Sequence, residues 1–211
     1  MEKEKYREEN IEDIYSKQIK DIFDSYVMWG KDVKRRLEGE KKDQREEDKI
    51  TGENLYKLAI NELKLYETEK YKQNSVNKFI EKYRDIFKVK DGYFLSGLLN
   101  FTEKQEIPNS KAEILEKTGK EDIIEDFISI PDIEEISALG FLENTFLEIR
   151  GRAGMLLGRN SYQSIIEVEE VESLGLDSEQ TDYFVHSSDV KPILMGSGRI
   201  WYKKDGEWEL Y

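Results

Sequence analysis

The chain has 211 residues, no cysteine, a single histidine and a formal net charge of −13, which excludes disulfide frameworks, thiol nucleophiles, cysteine-ligated zinc and any site built on two imidazoles. Charged and hydrophobic residues each make up 37%, a balance that leans toward disorder, but 12 Tyr, 9 Phe and 3 Trp are too many for a solvated tail and describe a folded protein with a highly charged skin. Residues 1–100 hold 22 Lys+Arg against 22 Asp+Glu, whereas residues 101–211 hold 11 against 24, so the whole charge imbalance lies in the second half, where it bears on partners and solubility and not on fold.

The opening MEKEKYREEN has no apolar core for a signal peptide, and the stretch Tyr93–Phe101 is too short to span a bilayer, so a soluble cytoplasmic protein with no membrane contact is expected. Residues 5–48 read as one long helix. Tyr15, Ile19, Ile22, Tyr26, Trp29 and Val33 fall in steps of four and three, a heptad seam that Gly30 weakens. Residues 15–33 could therefore join two copies of the chain. The charged run 38–50 reads as a solvated helix end, a linker or a protruding arm.

A second helix is expected to start at a cap in Thr51–Glu53 and to turn Leu55, Ala59, Leu63 and Tyr66 inward. A third follows Ser75, with Val76, Phe79, Ile80, Tyr83, Ile86 and Phe87 inward, and Asp91-Gly92 turns the chain into a short buried helix over Tyr93–Phe101. Pro108-Asn109 and the composition change nearby divide a helical region, 1–105, from an acidic α+β region, 106–211. Ser110 and Glu113 match a capping box, and Gly119 would stop that helix. Ser129 and Pro131 suggest another helix start, with Ile133, Ile136, Leu139, Leu142, Phe146 and Ile149 along it and a break at Gly140 as plausible as continuity.

Beyond Gly158 the β-branched Ile165, Ile166, Val168 and Val171 favour strand, as do Tyr183–Val185 and Val190–Met195. Asp205-Gly206 is a two-residue hairpin turn that sets Lys204 opposite Glu207, Lys203 opposite Trp208 and Trp201 opposite Leu210. No repeat at a solenoid period stands out. The predicted class is α+β: a helical first two-thirds and a small antiparallel β region ending in a hairpin.

Three groups of residues carry possible function. Between Glu148 and Glu167 no acid interrupts a window holding Arg150, Arg152, Arg159, Asn160 and Ser161 among three glycines, the residue types that cradle phosphate or carboxylate. Its spacing matches neither a P-loop nor a dinucleotide fingerprint. The simpler reading pairs these arginines with carboxylates of the same half. His186, beside Ser187 and Asp189, suggests acid–base chemistry only if the fold supplies partners. Glu121, Asp122, Glu125, Asp126, Asp132, Glu134 and Glu135 form an acidic cluster without calcium-loop spacing.

No catalytic set, metal or cofactor is implied, and the charge disfavours direct nucleic-acid binding. The favoured expectation is a non-enzymatic inhibitor or immunity-type protein whose acidic cluster docks on the basic surface of a toxin, nuclease or nucleic-acid-handling complex. A small phosphate- or nucleotide-binding domain or enzyme using residues 150–161, and an oligomeric assembly protein, are the alternatives.

Overall fold

Leu, Glu, Lys, Gln and Arg sustain helices even where no apolar face exists, and the amino-terminal part of the chain uses this freely. The computed structural model describes residues 2–37, 44–66, 70–87, 91–103, 128–130, 139–154, 157–174, 176–187, 195–196 and 198–211. Helix α1 runs Glu2–Leu37, α2 Gln44–Tyr66, α3 Gln73–Tyr83 with a 3₁₀ turn at Arg84–Ile86, and α4 Gly92–Asn100. The single helix expected over 5–48 is thus two. The second begins inside the charged run, ahead of the expected cap at Thr51–Glu53.

The seam of α1 faces its own protein. Ile19, Ile22 and Tyr26 are buried together with Phe23, and α1 packs on α2 and α3 while α2 packs on α4. Phe23 stands edge-on to Phe87 and Phe94, with ring centroids 5.4 and 5.0 Å away. These residues are therefore not available to join two chains, and of the seam's described residues Trp29, at 46% exposure, is the one left open. Helix α4 is buried from Gly92 to Leu99. It crosses α2 so closely that a Cβ on Gly97 would lie 2.9 Å from that of Ala59.

The rest is β structure: β1 Ile128–Ile130, β2 Phe146–Ala153, β3 Ile165–Val171, β4 Leu176–Ser178, β5 Asp182–Val185, β6 Met195–Gly196, β7 Arg199–Lys204 and β8 Glu207–Leu210. The α+β class and the terminal hairpin stand as read. In the hairpin Trp201 pairs with Leu210, Lys203 with Trp208 and Lys204 with Glu207, around a turn whose Asp205 and Gly206 have φ of 52° and 91°. The ion pair of Lys204, however, goes to Glu209 at 3.6 Å and not straight across to Glu207.

Three expectations are corrected. The β region is not antiparallel as a whole. The main sheet has the order β1-β2-β3-β5-β7-β8, and every pairing before the hairpin is parallel. Of the helix expected over Ile133–Ile149, residues 133–138 lie outside the described residues, those from Leu139 onward are not helical, and Phe146–Ile149 belong to β2, in which Leu147 and Ile149 point inward while Phe146, Glu148 and Arg150 point outward, a period of two. Lastly, a solenoid-like repeat exists. Ile128 pairs with Leu147, Leu147 with Ile166, Ile166 with Tyr183 and Tyr183 with Ile200, so each strand of this sheet stacks on the sheet strand of the preceding coil, as repeat coils do. Between the strands the coils also bridge, Glu143 to Tyr162 to Glu179 and Leu157 to Leu174, and β4 pairs with β6.

Leu147, Ile166, Tyr183 and Ile200 bury their side chains on the inner face of the sheet, and one apolar core runs through helices and coils alike. Asn100 at the end of α4 joins the two. Its amide nitrogen donates to the Tyr56 hydroxyl and the Phe141 carbonyl, and its carbonyl accepts the Glu143 amide. Tyr56 and Phe141 stack at 4.8 Å beside it.

Candidate binding surface

The described coils that lead into β2, β3 and β5 turn their corners by the same device. A residue with positive φ, Asn144 (46°), Gln163 (46°) or Gln180 (50°), is followed by a hydroxyl residue, Thr145, Ser164 or Thr181, that donates to the carbonyl two positions back. The Tyr162 and Glu179 carbonyls also accept the Asn144 and Gln163 amides of the preceding coil, so each serves turn and stack together. The side chains before and at the bend then point out in register. Glu143, Tyr162 and Glu179 form one exposed row and Asn144, Gln163 and Gln180 another, with Gln163 Nε2 donating to Gln180 Oε1 at 3.0 Å.

The arginine window does not form one cradle. Arg150 is tied to Glu148 on the outer face of β2 at 3.0 Å. Arg152 lies past an irregularity in β2, in register with Glu170. Arg159 belongs to the corner at Gly158–Ser161, where its backbone packs on Gly140. Ser161 is buried and its hydroxyl accepts the Leu142 amide, while Asn160 supplies a positive φ of 53°. Ser161 thus links neighbouring coils. Of the three arginines, Arg150 is paired with a carboxylate of the same half.

His186 Nε2 lies 2.8 Å from Glu167 Oε1, and its ring stands edge-on to Trp208 at 5.0 Å. The partner comes from the previous coil and not from the adjacent sequence; Asp189 lies outside the described residues. No group of three potential metal ligands occurs among the described residues. The acidic cluster Glu121, Asp122, Glu125, Asp126, Asp132, Glu134 and Glu135 also lies outside them.

Two features were missed by sequence reasoning. One is the outer face of the main sheet, where Ile165 and Phe184 are buried under Phe146, Trp201 and Trp208. Trp201 lies parallel to Phe184, and Trp208 crosses it at 88° with centroids 5.1 Å apart. The alternation of Phe184 with Val185 and of Trp201 with Tyr202 carries this signal once a strand with two faces is assumed. The other is the distribution of carboxylates. Asp182, 6% exposed, takes both oxygens to Arg199 at 2.8 and 2.7 Å, and Glu209 takes Lys204. Among the described residues, no ion pair engages the exposed Glu143, Glu169, Glu170, Glu172, Glu179 or Glu207. In comparisons with known proteins, no family model, no curated protein and no solved structure matches this chain.

Proposed function

We propose that this is a non-enzymatic binding protein of inhibitor or immunity type, whose acidic coil surface docks on a basic protein surface. One observation carries the reading. The cations Arg150, Arg199 and Lys204 are held by Glu148, Asp182 and Glu209, while six exposed glutamates of the same coils engage no cation among the described residues. Unpaired carboxylates on a packed scaffold keep their charge available to a partner and steer its approach. The acidic cluster at 121–135 adds seven carboxylates to the same half.

Affinity capture with the intact chain from its native cells tests this. A basic protein should be retained at low salt and released as salt rises, because screening shortens the reach of the field to about 3 Å at 1 M. The triple substitution Glu143→Lys, Glu172→Lys, Glu179→Lys should weaken capture by at least about ten-fold. Capture that is indifferent to salt and to these reversals overturns the reading.

A further inference from the structure

Strand β8 ends the main sheet, with β7 as its one described neighbour. The Tyr211 amide donates to the Ile200 carbonyl at 2.8 Å. Antiparallel ladders alternate, so the backbone amide and carbonyl of Leu210 point away from β7. Leu210 is 55% exposed and Tyr211 76%, and Glu207 and Glu209 are exposed beside them.

The two faces of this edge differ. Leu210 continues the row Phe184, Trp201, Leu210 across the outer face, while Glu209 follows Tyr202 on the other. The Tyr202 hydroxyl and then Lys204 hold the Glu209 carboxyl below the usual range, so it stays ionised. Natural edges carry charge to resist self-pairing, and this one does so. A second copy laid antiparallel about Glu209 sets Glu209 against Glu209; centring on Trp208 sets Glu207 against Glu209. Like charges directly opposite are destabilising in either register. An incoming strand with Lys or Arg at those positions reverses the sign of the same contacts.

We propose that β8 is a docking edge that accepts one extended segment of the basic partner as an added strand, with Lys or Arg on alternate positions facing Glu207 and Glu209 and apolar residues between them extending the Trp201–Leu210 row. This rests on the acidic-docking reading above and names the place and form of the contact. Strand addition draws affinity from main-chain hydrogen bonds and specificity from alternate side chains.

The test uses the full chain, labelled with nitrogen-15, and an acetylated, amidated hexapeptide of alternating Lys and Val. Its amides should shift Leu210 and Tyr211. Methylating alternate peptide nitrogens, or the double change Glu207→Lys, Glu209→Lys, should each weaken binding by about ten-fold, and a Glu–Val peptide should not bind. Glu207→Gln with Glu209→Gln, a milder pair, should give an intermediate loss. Salt-sensitive binding that ignores N-methylation, or shifts other amides, overturns the edge and leaves acidic docking standing. No binding at millimolar peptide also overturns it, as does a wild-type chain that self-associates through β8. Failure of the acidic reading itself shows separately, as salt-indifferent capture from cells.

Discussion

Gly158 and Gly206 both have positive φ, 74° and 91°, yet their surroundings differ. A Cβ on Gly158 would collide with the Tyr183 ring, whereas nothing lies within 4 Å of the corresponding point on Gly206. Gly206→Ala should therefore cost only the backbone penalty, about 1 kcal/mol. Gly158→Ala adds displacement of a buried ring and should cost about 3 kcal/mol, both read from urea midpoints at unchanged slope. Tyr183 is fully buried and donates to the Gly158 carbonyl at 3.1 Å. Burial pushes its hydroxyl up to about 12. Because the folded value exceeds the unfolded one, Tyr183's contribution is fully present below about pH 10 and is lost as pH rises toward 12. The unfolded chain releases that proton first, so stability falls by about 3 kcal/mol across the window. Burial raises Tyr26 in the same direction, so the wild-type chain should lose stability at alkaline pH. Tyr183→Phe should lose less over that interval, a difference that denaturant titrations at pH 9 and pH 12 would measure.

Among the elements, the junction of α4 with the coils depends on one side chain. Asn100 satisfies the Phe141 carbonyl and the Glu143 amide together. Asn100→Ala leaves both without that partner and should destabilise by about 2 kcal/mol. Hydrogen exchange at the Glu143 amide, faster in the variant by more than at Leu147, would locate the loss at the junction. The helices were legible because their inward residues, such as Val76, Phe79 and Ile80, keep a helical period and are buried accordingly. The hairpin was legible because Asp-Gly fits its turn. The coils were not. Leu139, Leu142, Phe146 and Ile149 happen to fall three and four apart, the spacing of a helix face, although the last two lie on opposite faces of β2. The repeat was present as Glu-Asn-Thr-Phe-Leu-Glu-Ile, Tyr-Gln-Ser-Ile-Ile-Glu-Val and Glu-Gln-Thr-Asp-Tyr-Phe-Val, starting at residues 143, 162 and 179. Its spacing drifts between copies, and its corner positions are kept by chemistry, amide then hydroxyl, and not by identity. Of the possible sites, the arginine window was visible as composition. Whether its members converge depends on which coil corner each occupies, and no local spacing reports that.

Over the whole molecule, a net charge of −13 sets internal repulsion against the packing that holds the coils together. Cores of this kind gain from parallel stacking, since each buried row of Leu147, Ile166, Tyr183 and Ile200 is continuous through four strands. The exposed glutamates contribute nothing to that stacking, so their charge only opposes the compact state. Added salt should then stabilise the free protein: the urea midpoint should rise between 10 mM and 300 mM NaCl, as the Debye length shortens from about 30 Å to under about 8 Å. Glu170→Lys should act in the same direction. Glu170 is exposed and engages no ion pair among the described residues, while Arg152 lies in register beside it. Removing a carboxylate lessens the general repulsion, but a lysine there meets that arginine, so the neutral Glu170→Gln is the cleaner probe. It should raise stability by a few tenths of a kcal/mol, about the size expected for an exposed charge. It should also reduce the salt dependence of both stability and partner association. A protein whose surface charge served its own fold would behave oppositely, losing stability with salt and with each neutralised glutamate. The sign of the salt effect on the isolated chain therefore separates charge kept for a partner from charge spent within the molecule.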